Sequence, residues 1–140
     1  MTNSYSYMGT VKKVYIGDPS YVVSESKWEL ICDQMKAANN WNEFEDGLLV
    51  AHATQFGDGV FPSSYCKNGY GVDSGMLGIV PDYLISNWEE AERLGNVREF
   101  DEVKSTCIEY CEDGTIYFYV NDKIVDVTFT GEELYDEENQ

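Results

Sequence analysis

The alternation of apolar and polar residues is clearest in the C-terminal part of the chain. It runs through residues 105–111, 115–120 and 124–130, with the period of two that is typical of strands buried on one face. Asp113-Gly114 and Asn121-Asp122 separate these runs and are favoured in tight hairpin turns. The pattern predicts a three-stranded antiparallel meander. Three apolar residues are expected to share one face of its last strand: Val125, Val127 and Phe129.

A helical period appears instead in residues 26–38. Trp28, Ile31 and Met35 fall on one apolar face of such a helix, and we expect all three to be buried. The helix is predicted to begin with an S-x-x-E capping box at Ser26, because this spacing satisfies two backbone N–H groups at a helix start.

Shorter apolar runs supply the remaining predicted elements. A second capping box, at Ser86, precedes a short helix at residues 87–94. Residues 47–54 are apolar almost throughout, which predicts a strand buried on both faces. Further strands are predicted at 10–16, 69–73 and 76–80.

These elements predict an α+β fold. We expect it to be strand-rich, a curved antiparallel sheet or partial barrel with two short helices packed on it. The length of 140 residues suits a single domain spanning 1–140. Residues 1–9 are expected to be a loose N-terminus, and the acidic residues 132–140 a disordered tail.

Six of the twelve glycines lie between Gly57 and Pro81, which indicates tight turns between short strands. Aspartates accompany several of these turns, and the chain's single histidine lies just before them. A pocket that binds, sequesters or degrades a small ligand, such as a nucleotide signal, is one function that these residues suggest. Its candidate residues are His52, Asp58, Asp73, Ser74 and Tyr70.

The simpler interpretation of Asp18, Asp58 and Asp73 is structural. Aspartate is favoured in turns because its side chain accepts hydrogen bonds from nearby backbone N–H groups. One histidine and four scattered cysteines are a poor zinc inventory, and no EF-hand loop is present. Neither a nucleophile elbow nor a phosphate-binding glycine loop occurs. We therefore predict no metal, no cofactor and no catalytic residue, and favour binding over enzyme activity.

The formal net charge of −17 is unevenly distributed. Residues 1–80 carry a net −4 from nine acids and five bases, and residues 81–140 a net −13 from seventeen acids and four bases. Such a field repels nucleic acids and membrane surfaces and attracts basic proteins. The sequence shows no apolar run of membrane-spanning length and no signal-peptide core, which predicts a cytoplasmic protein.

The second predicted helix and the segment after it concentrate these acids on elements that would hold them in place. We predict that they bind a basic protein surface. The candidate partner-binding residues are Glu89, Glu90, Glu92, Glu99, Asp101 and Glu102.

Three short motifs are spread over about residues 14–85. They are GDP-x-Y at Gly17–Tyr21, GDG-x-[YF]-P at Gly57–Pro62 and VDSG-x-x-G-I at Val72–Ile79. In these motifs the chain resembles a group of small uncharacterised phage and bacterial proteins. The resemblance lends no activity but implies a phage setting, in the host cytoplasm. Small acidic phage proteins resemble inhibitors of host enzymes, so counter-defence against a host defence or nucleic-acid-binding factor is the expected role.

Overall fold

The structure is a computed structural model that describes residues 10–37, 41–43, 47–64 and 69–132. The predicted loose N-terminus, residues 1–9, lies outside these residues, and so does the predicted acidic tail except for residue 132. The helices are α1 Glu25–Ala37 and α2 Trp88–Leu94. The strands are β1 Lys13–Gly17, β2 Trp41–Glu43, β3 Val50–Ala53, β4 Gly59–Phe61, β5 Tyr70–Val72, β6 Met76–Pro81, β7 Asn96–Glu99, β8 Thr106–Tyr110, β9 Thr115–Val120 and β10 Lys123–Phe129.

The centre of the molecule is an antiparallel sheet in the order β2-β3-β6-β1-β7. Every residue of β6 is buried, because both faces of this sheet are covered. Tyr15, Ala51 and Val80 pack with residues of α1 and α2 on one face. Val14 and Leu77 pack with the β8–β10 meander on the other. The protein is thus layered, with helices on one side of the central sheet and the meander on the other.

The meander is confirmed, with strand order β10-β9-β8. Asn121 and Asp122 both have positive φ, 55° and 68°, as a type I′ hairpin turn requires. The predicted face of the last strand is wrong, because the ladder is irregular between Ile124 and Asp126. This bulge leaves Val125 packed against the core. Val127 and Phe129 lie on the opposite, outer face, where both are partly exposed.

Helix α1 is confirmed, but its cap differs from the prediction. Ser24, not Ser26, begins the helix, since its Oγ accepts the Lys27 N–H at 3.2 Å. Ile31 and Met35 are buried as expected, at 0% and 4% exposure. Trp28 is half-buried and packs against the edge of the same cluster, so its predicted burial is only partly correct.

Helix α2 is also capped one residue later than the capping-box pattern suggests. Asn87 Oδ1 accepts the Glu90 N–H at 3.1 Å. The Ser86 hydroxyl instead donates to the carbonyl of Val22 at 3.1 Å, which ties the start of α2 to the chain before α1. At the other end, Gly95 lies against the fully buried ring of Tyr15, so closely that a Cβ at this position would clash with it.

The strand-rich α+β class is confirmed. Among the described residues the strands form three open sheets of five, three and two strands rather than a closed barrel. Strands β2 and β7 were not predicted from the sequence.

Candidate functional site

The carboxylate of Asp18 is fully buried at the end of β1 and accepts five hydrogen bonds. Its Oδ1 accepts from the Ser20 N–H at 2.9 Å and from the hydroxyls of Ser20 and Ser74, each at 2.7 Å. Its Oδ2 accepts from the backbone N–H groups of Asp73 at 2.7 Å and Ser74 at 2.9 Å. Asp18 therefore fixes the turn between β5 and β6, and it joins the GDP-x-Y motif to the VDSG motif.

These five contacts determine what Asp18 can do chemically. All of them are made by N–H or O–H donors, which suits an ionised carboxylate that only accepts. A buried carboxylate with both oxygens occupied in this way has no lone pair directed at a metal ion or a substrate. The expectation that Asp18 holds its own turn is correct, since its side chain accepts the Ser20 N–H and caps the turn at Pro19–Tyr21. It also holds the turn at Asp73 and Ser74, which is remote in sequence.

Asp73 and Asp58 lie near this turn but are exposed. The Tyr21 hydroxyl donates to Asp73 Oδ2 at 2.7 Å. Partial burial, this hydrogen bond and the charges of Asp18, Asp73 and Asp58 raise the pKa of Tyr21 well above its ordinary value. The phenol therefore stays protonated and acts as a donor. Asp73 thus accepts from a side chain, not from the backbone N–H that the sequence led us to expect.

His52 and Tyr70 lie apart from these turns. The imidazole of His52 stacks on the ring of Tyr110, with centroids 4.2 Å apart and an interplanar angle of 10°. Its Nδ1–H donates to the Ala53 carbonyl at 2.8 Å, and burial lowers the pKa of His52 below 6.5. Tyr70 is fully buried, and its hydroxyl donates to Asp126. The structure therefore brings Asp58, Asp73 and Ser74 to one turn region but leaves His52 and Tyr70 in the packing around the meander.

A second buried carboxylate, Asp126, was not identified from the sequence. Its Oδ1 accepts the Ser64 N–H and Oγ, each at 2.8 Å, and the Val127 N–H at 2.7 Å. Its Oδ2 accepts the hydroxyls of Ser63, at 2.6 Å, and Tyr70. Asp126 ties the segment after β4 to β10. The one signal in the sequence is that Asp126 lies inside an otherwise apolar strand. The alternation pattern alone predicts that such a residue faces solvent.

The six predicted partner-binding acids lie along α2, β7 and the residues that follow β7. Glu89 and Glu92 are exposed on α2, whereas Glu90 is partly buried and pairs with Arg93 at 2.6 Å. Glu99 is the last residue of β7, the edge strand of the central sheet, and stands opposite Lys13 of β1. The other two acids follow β7 and are exposed: Asp101 and Glu102.

Basic and aromatic residues interrupt this acidic surface. A groove of about 430 Å³ beside α2 is lined by Lys13, Asp82, Tyr83, Trp88 and Glu92. The Lys13 Nζ lies 5.7 Å from the centroid of the Trp88 ring, which is partly exposed. The net negative charge of this acidic surface is therefore smaller than the number of its acids suggests.

Within residues 10–37, 41–43, 47–64 and 69–132, no three histidine, cysteine, aspartate or glutamate side chains come together as a set of metal ligands. None of the helices in this part of the chain is long and apolar enough to cross a membrane. No protein-family model, curated protein or solved structure matches the chain. The function must therefore be argued from the geometry of the chain itself.

Proposed function

We propose that this protein is a non-enzymatic binding protein that engages a basic protein surface through the carboxylates of α2 and the segment from β7 to residue 102. The observation that carries the proposal is the placement of Glu89 and Glu92. Both are exposed on a capped helix that is held against the central sheet by buried Ala91. Their charges are therefore held in fixed positions, which a flexible acidic segment would not provide.

The partner class follows from electrostatics. A fixed row of carboxylates is complementary to a surface that binds a phosphate backbone, and it steers such a surface into contact. We propose a phage-encoded inhibitor of a host defence or nucleic-acid-binding factor, acting in the host cytoplasm. Direct binding to nucleic acid or to an anionic membrane is disfavoured by the net charge of −17.

The pocket alternative has less support from the contacts. Its five residues do not form one site, and Tyr70 is committed to Asp126 in the core. His52 is committed to Tyr110 and to the Ala53 carbonyl. Ser74 uses its hydroxyl and its N–H to hold the buried Asp18. These are stabilising contacts, and they occupy the groups that a ligand would need.

Affinity capture on the immobilised protein tests the proposal. A bacterial lysate is applied at about 0.05 M salt and eluted with a salt gradient, because exposed charge pairs are screened as ionic strength rises. We expect basic nucleic-acid-binding proteins among those retained, and we expect duplex DNA in the lysate to compete with the column. The association rate constant of a captured partner should fall steeply with salt.

A pair of double variants makes the test specific to α2. Glu89→Lys with Glu92→Lys should abolish the capture, and Glu90 is left unchanged because it pairs with Arg93. The control is Glu25→Lys with Glu29→Lys, which makes the same change in charge at exposed positions of α1. Equal losses in both would show that net charge, not this surface, retains the partner. Retention that survives high salt would also contradict the proposal.

A further inference from the structure

The outer side of the meander carries a second surface with a different character. We define the meander face as the outward residues Cys107, Glu109, Thr115, Tyr117, Tyr119, Ile124, Val127 and Phe129. Tyr117 stands opposite Val127 of β10 and Glu109 of β8 in the ladder, so apolar side chains of β9 and β10 lie next to a carboxylate of β8. Ile124 is 53% exposed and Phe129 is 36% exposed. The outer side of the meander therefore presents exposed apolar and aromatic side chains beside an exposed carboxylate.

One end of this face contains a groove of about 400 Å³ with acidic and aromatic walls. It is lined by Cys107, Ile108, Glu109, Tyr119 and Asp122, and none of these residues is basic. The Tyr119 hydroxyl donates to Glu109 Oε1 at 2.8 Å, which fixes the carboxylate beside the ring. A guanidinium group stacks on aromatic rings and pairs with carboxylates, so this combination suits an arginine side chain.

The size of the face indicates what covers it. Three strands about 4.8 Å apart, with five residues each rising about 3.3 Å, span on the order of 200 Å². A stable interface between folded proteins buries about 800 Å² on each partner. A second copy of this chain would also bring its own charge of −17 against the first. Area and charge together therefore favour a short basic segment over a copy of this protein.

We propose that the meander face docks a basic, arginine-containing segment of another protein. The guanidinium group lies against Tyr119, between the carboxylates of Glu109 and Asp122. Apolar residues of the docked segment, next to that arginine, cover Tyr117 and Phe129. The face lies on the opposite side of the central sheet from α2, so the inference does not depend on the α2 surface of the proposed function.

The probe is a nine-residue peptide that alternates arginine with valine, so that charged and apolar side chains can meet the face together. Binding is measured by fluorescence anisotropy at about 0.15 M salt, where long-range attraction is screened. Amide chemical shifts locate the peptide on the full chain. We expect the shifts to be concentrated in β8, β9 and the turn at Asp122. The same peptide with citrulline for arginine, which keeps the shape and removes the charge, should bind much more weakly.

Two double variants separate the two acidic surfaces. Glu109→Gln with Asp122→Asn keeps the side-chain shapes, and asparagine tolerates the positive φ at position 122. It should weaken binding on the order of tenfold. Glu89→Gln with Glu92→Gln removes the same charge from α2 and should change the affinity less than about twofold, since these groups lie outside the groove.

A third variant tests the aromatic contact without a change in charge. Tyr119→Leu keeps an apolar side chain and should also lower the affinity for the peptide, because the aromatic ring that the guanidinium group stacks on is lost. Unchanged melting temperatures confirm that the variants fold. Shifts confined to α2 and β7, equal losses in the two double variants, or equal affinity for the citrulline peptide would each overturn the inference. None of these results would decide whether lysate proteins bind the α2 surface.

Discussion

At the scale of single residues, two buried aspartates hold distant parts of the chain together. Asp18 and Asp126 are both fully buried, and each accepts hydrogen bonds from two serines and from backbone N–H groups. A buried carboxylate is stable in such a position only when donors satisfy it. The sequence predicted Asp18 as a turn residue, but not its reach to Asp73, 55 residues further along the chain.

Asp18→Asn should therefore destabilise the protein. The substitution keeps the shape but turns one acceptor oxygen into an NH₂ group that faces other donors. We expect the free energy of unfolding to fall by about 3 kcal/mol, because hydrogen bonds to a charged group are lost and donors are left unpaired. Urea unfolding measures this value.

Asp73→Asn is the matched control. Asp73 is exposed and accepts from the Tyr21 hydroxyl, a bond that an amide oxygen can also accept. Its free energy of unfolding should change by less than about 1 kcal/mol. If the two substitutions lowered the free energy of unfolding equally, the five hydrogen bonds of Asp18 would not be what stabilises the protein at this position.

His52 should give the protein a pH-dependent stability that can be assigned to one residue, since it is the only histidine. Burial lowers its pKa in the folded state below the ordinary value of 6.5. The unfolded chain consequently binds a proton more readily, and stability falls as the pH drops below 6.5 until the folded-state pKa is reached. At and above neutral pH this contribution is fully present.

His52→Phe provides the comparison, because phenylalanine keeps a ring against Tyr110 but does not titrate. The difference in free energy of unfolding between the two proteins is measured from pH 7.5 to about pH 5. We expect the wild-type protein to lose more stability over this range. Parallel curves would show that the imidazole is equally easy to protonate in both states.

At the scale of elements, the sequence predicted those helices, strands and turns that depend on residues close together in the chain. The meander and α1 have strong periodicity over many residues, and the turn at Asn121-Asp122 has residues that accept positive φ. The predicted N-cap residues of both helices differ from the observed ones by one or two positions. Several serines and asparagines lie near each helix start, and any of them can accept the hydrogen bond of an N-cap. Strands β2 and β7 are too short to show a period in the sequence, and β7 pairs with β1, which is distant in the chain.

The sequence did not reveal the bulge in β10, which determines the faces of the residues after it. A shift of one residue moves side chains to the other face of a strand. Here it buries Asp126 and packs Val125 inward, while Val127 and Phe129 turn outward. The meander face gains Val127 and Phe129 from this shift, whereas simple alternation predicted a single face for all three apolar residues.

At the scale of the whole molecule, the layered arrangement separates the two surfaces for which we propose partners. The helices and the meander cover opposite faces of the central sheet. The sequence predicted the acids of α2 and β7, because charge can be counted. Arg93 follows Glu92 in the same predicted helix, so its place among those acids is visible in the sequence. The position of Lys13 is not, since only the pairing of β1 with β7 brings it there.

The excess negative charge should also act on stability. Within the part of the chain that the structure describes, the one recorded ion pair is Arg93–Glu90, so few of the acids have a basic partner. The folded state holds these like charges closer together than the unfolded chain does, and their repulsion opposes folding. Raising sodium chloride from about 0.01 to 0.15 M shortens the screening length from about 30 to 8 Å. The melting temperature should therefore rise over this range.

The charge-reversed double variant Glu89→Lys with Glu92→Lys shows whether this repulsion is the cause. It carries less net charge and should melt at a higher temperature than the wild-type protein at low salt, with a smaller further gain on adding salt. Calorimetry at both salt concentrations measures the two effects together. If salt had no effect, or raised both melting temperatures equally, the carboxylates would be too widely spaced to oppose folding. A rigid acidic array on α2 would then be weaker than we propose, because the same spacing determines how strongly it attracts a basic partner.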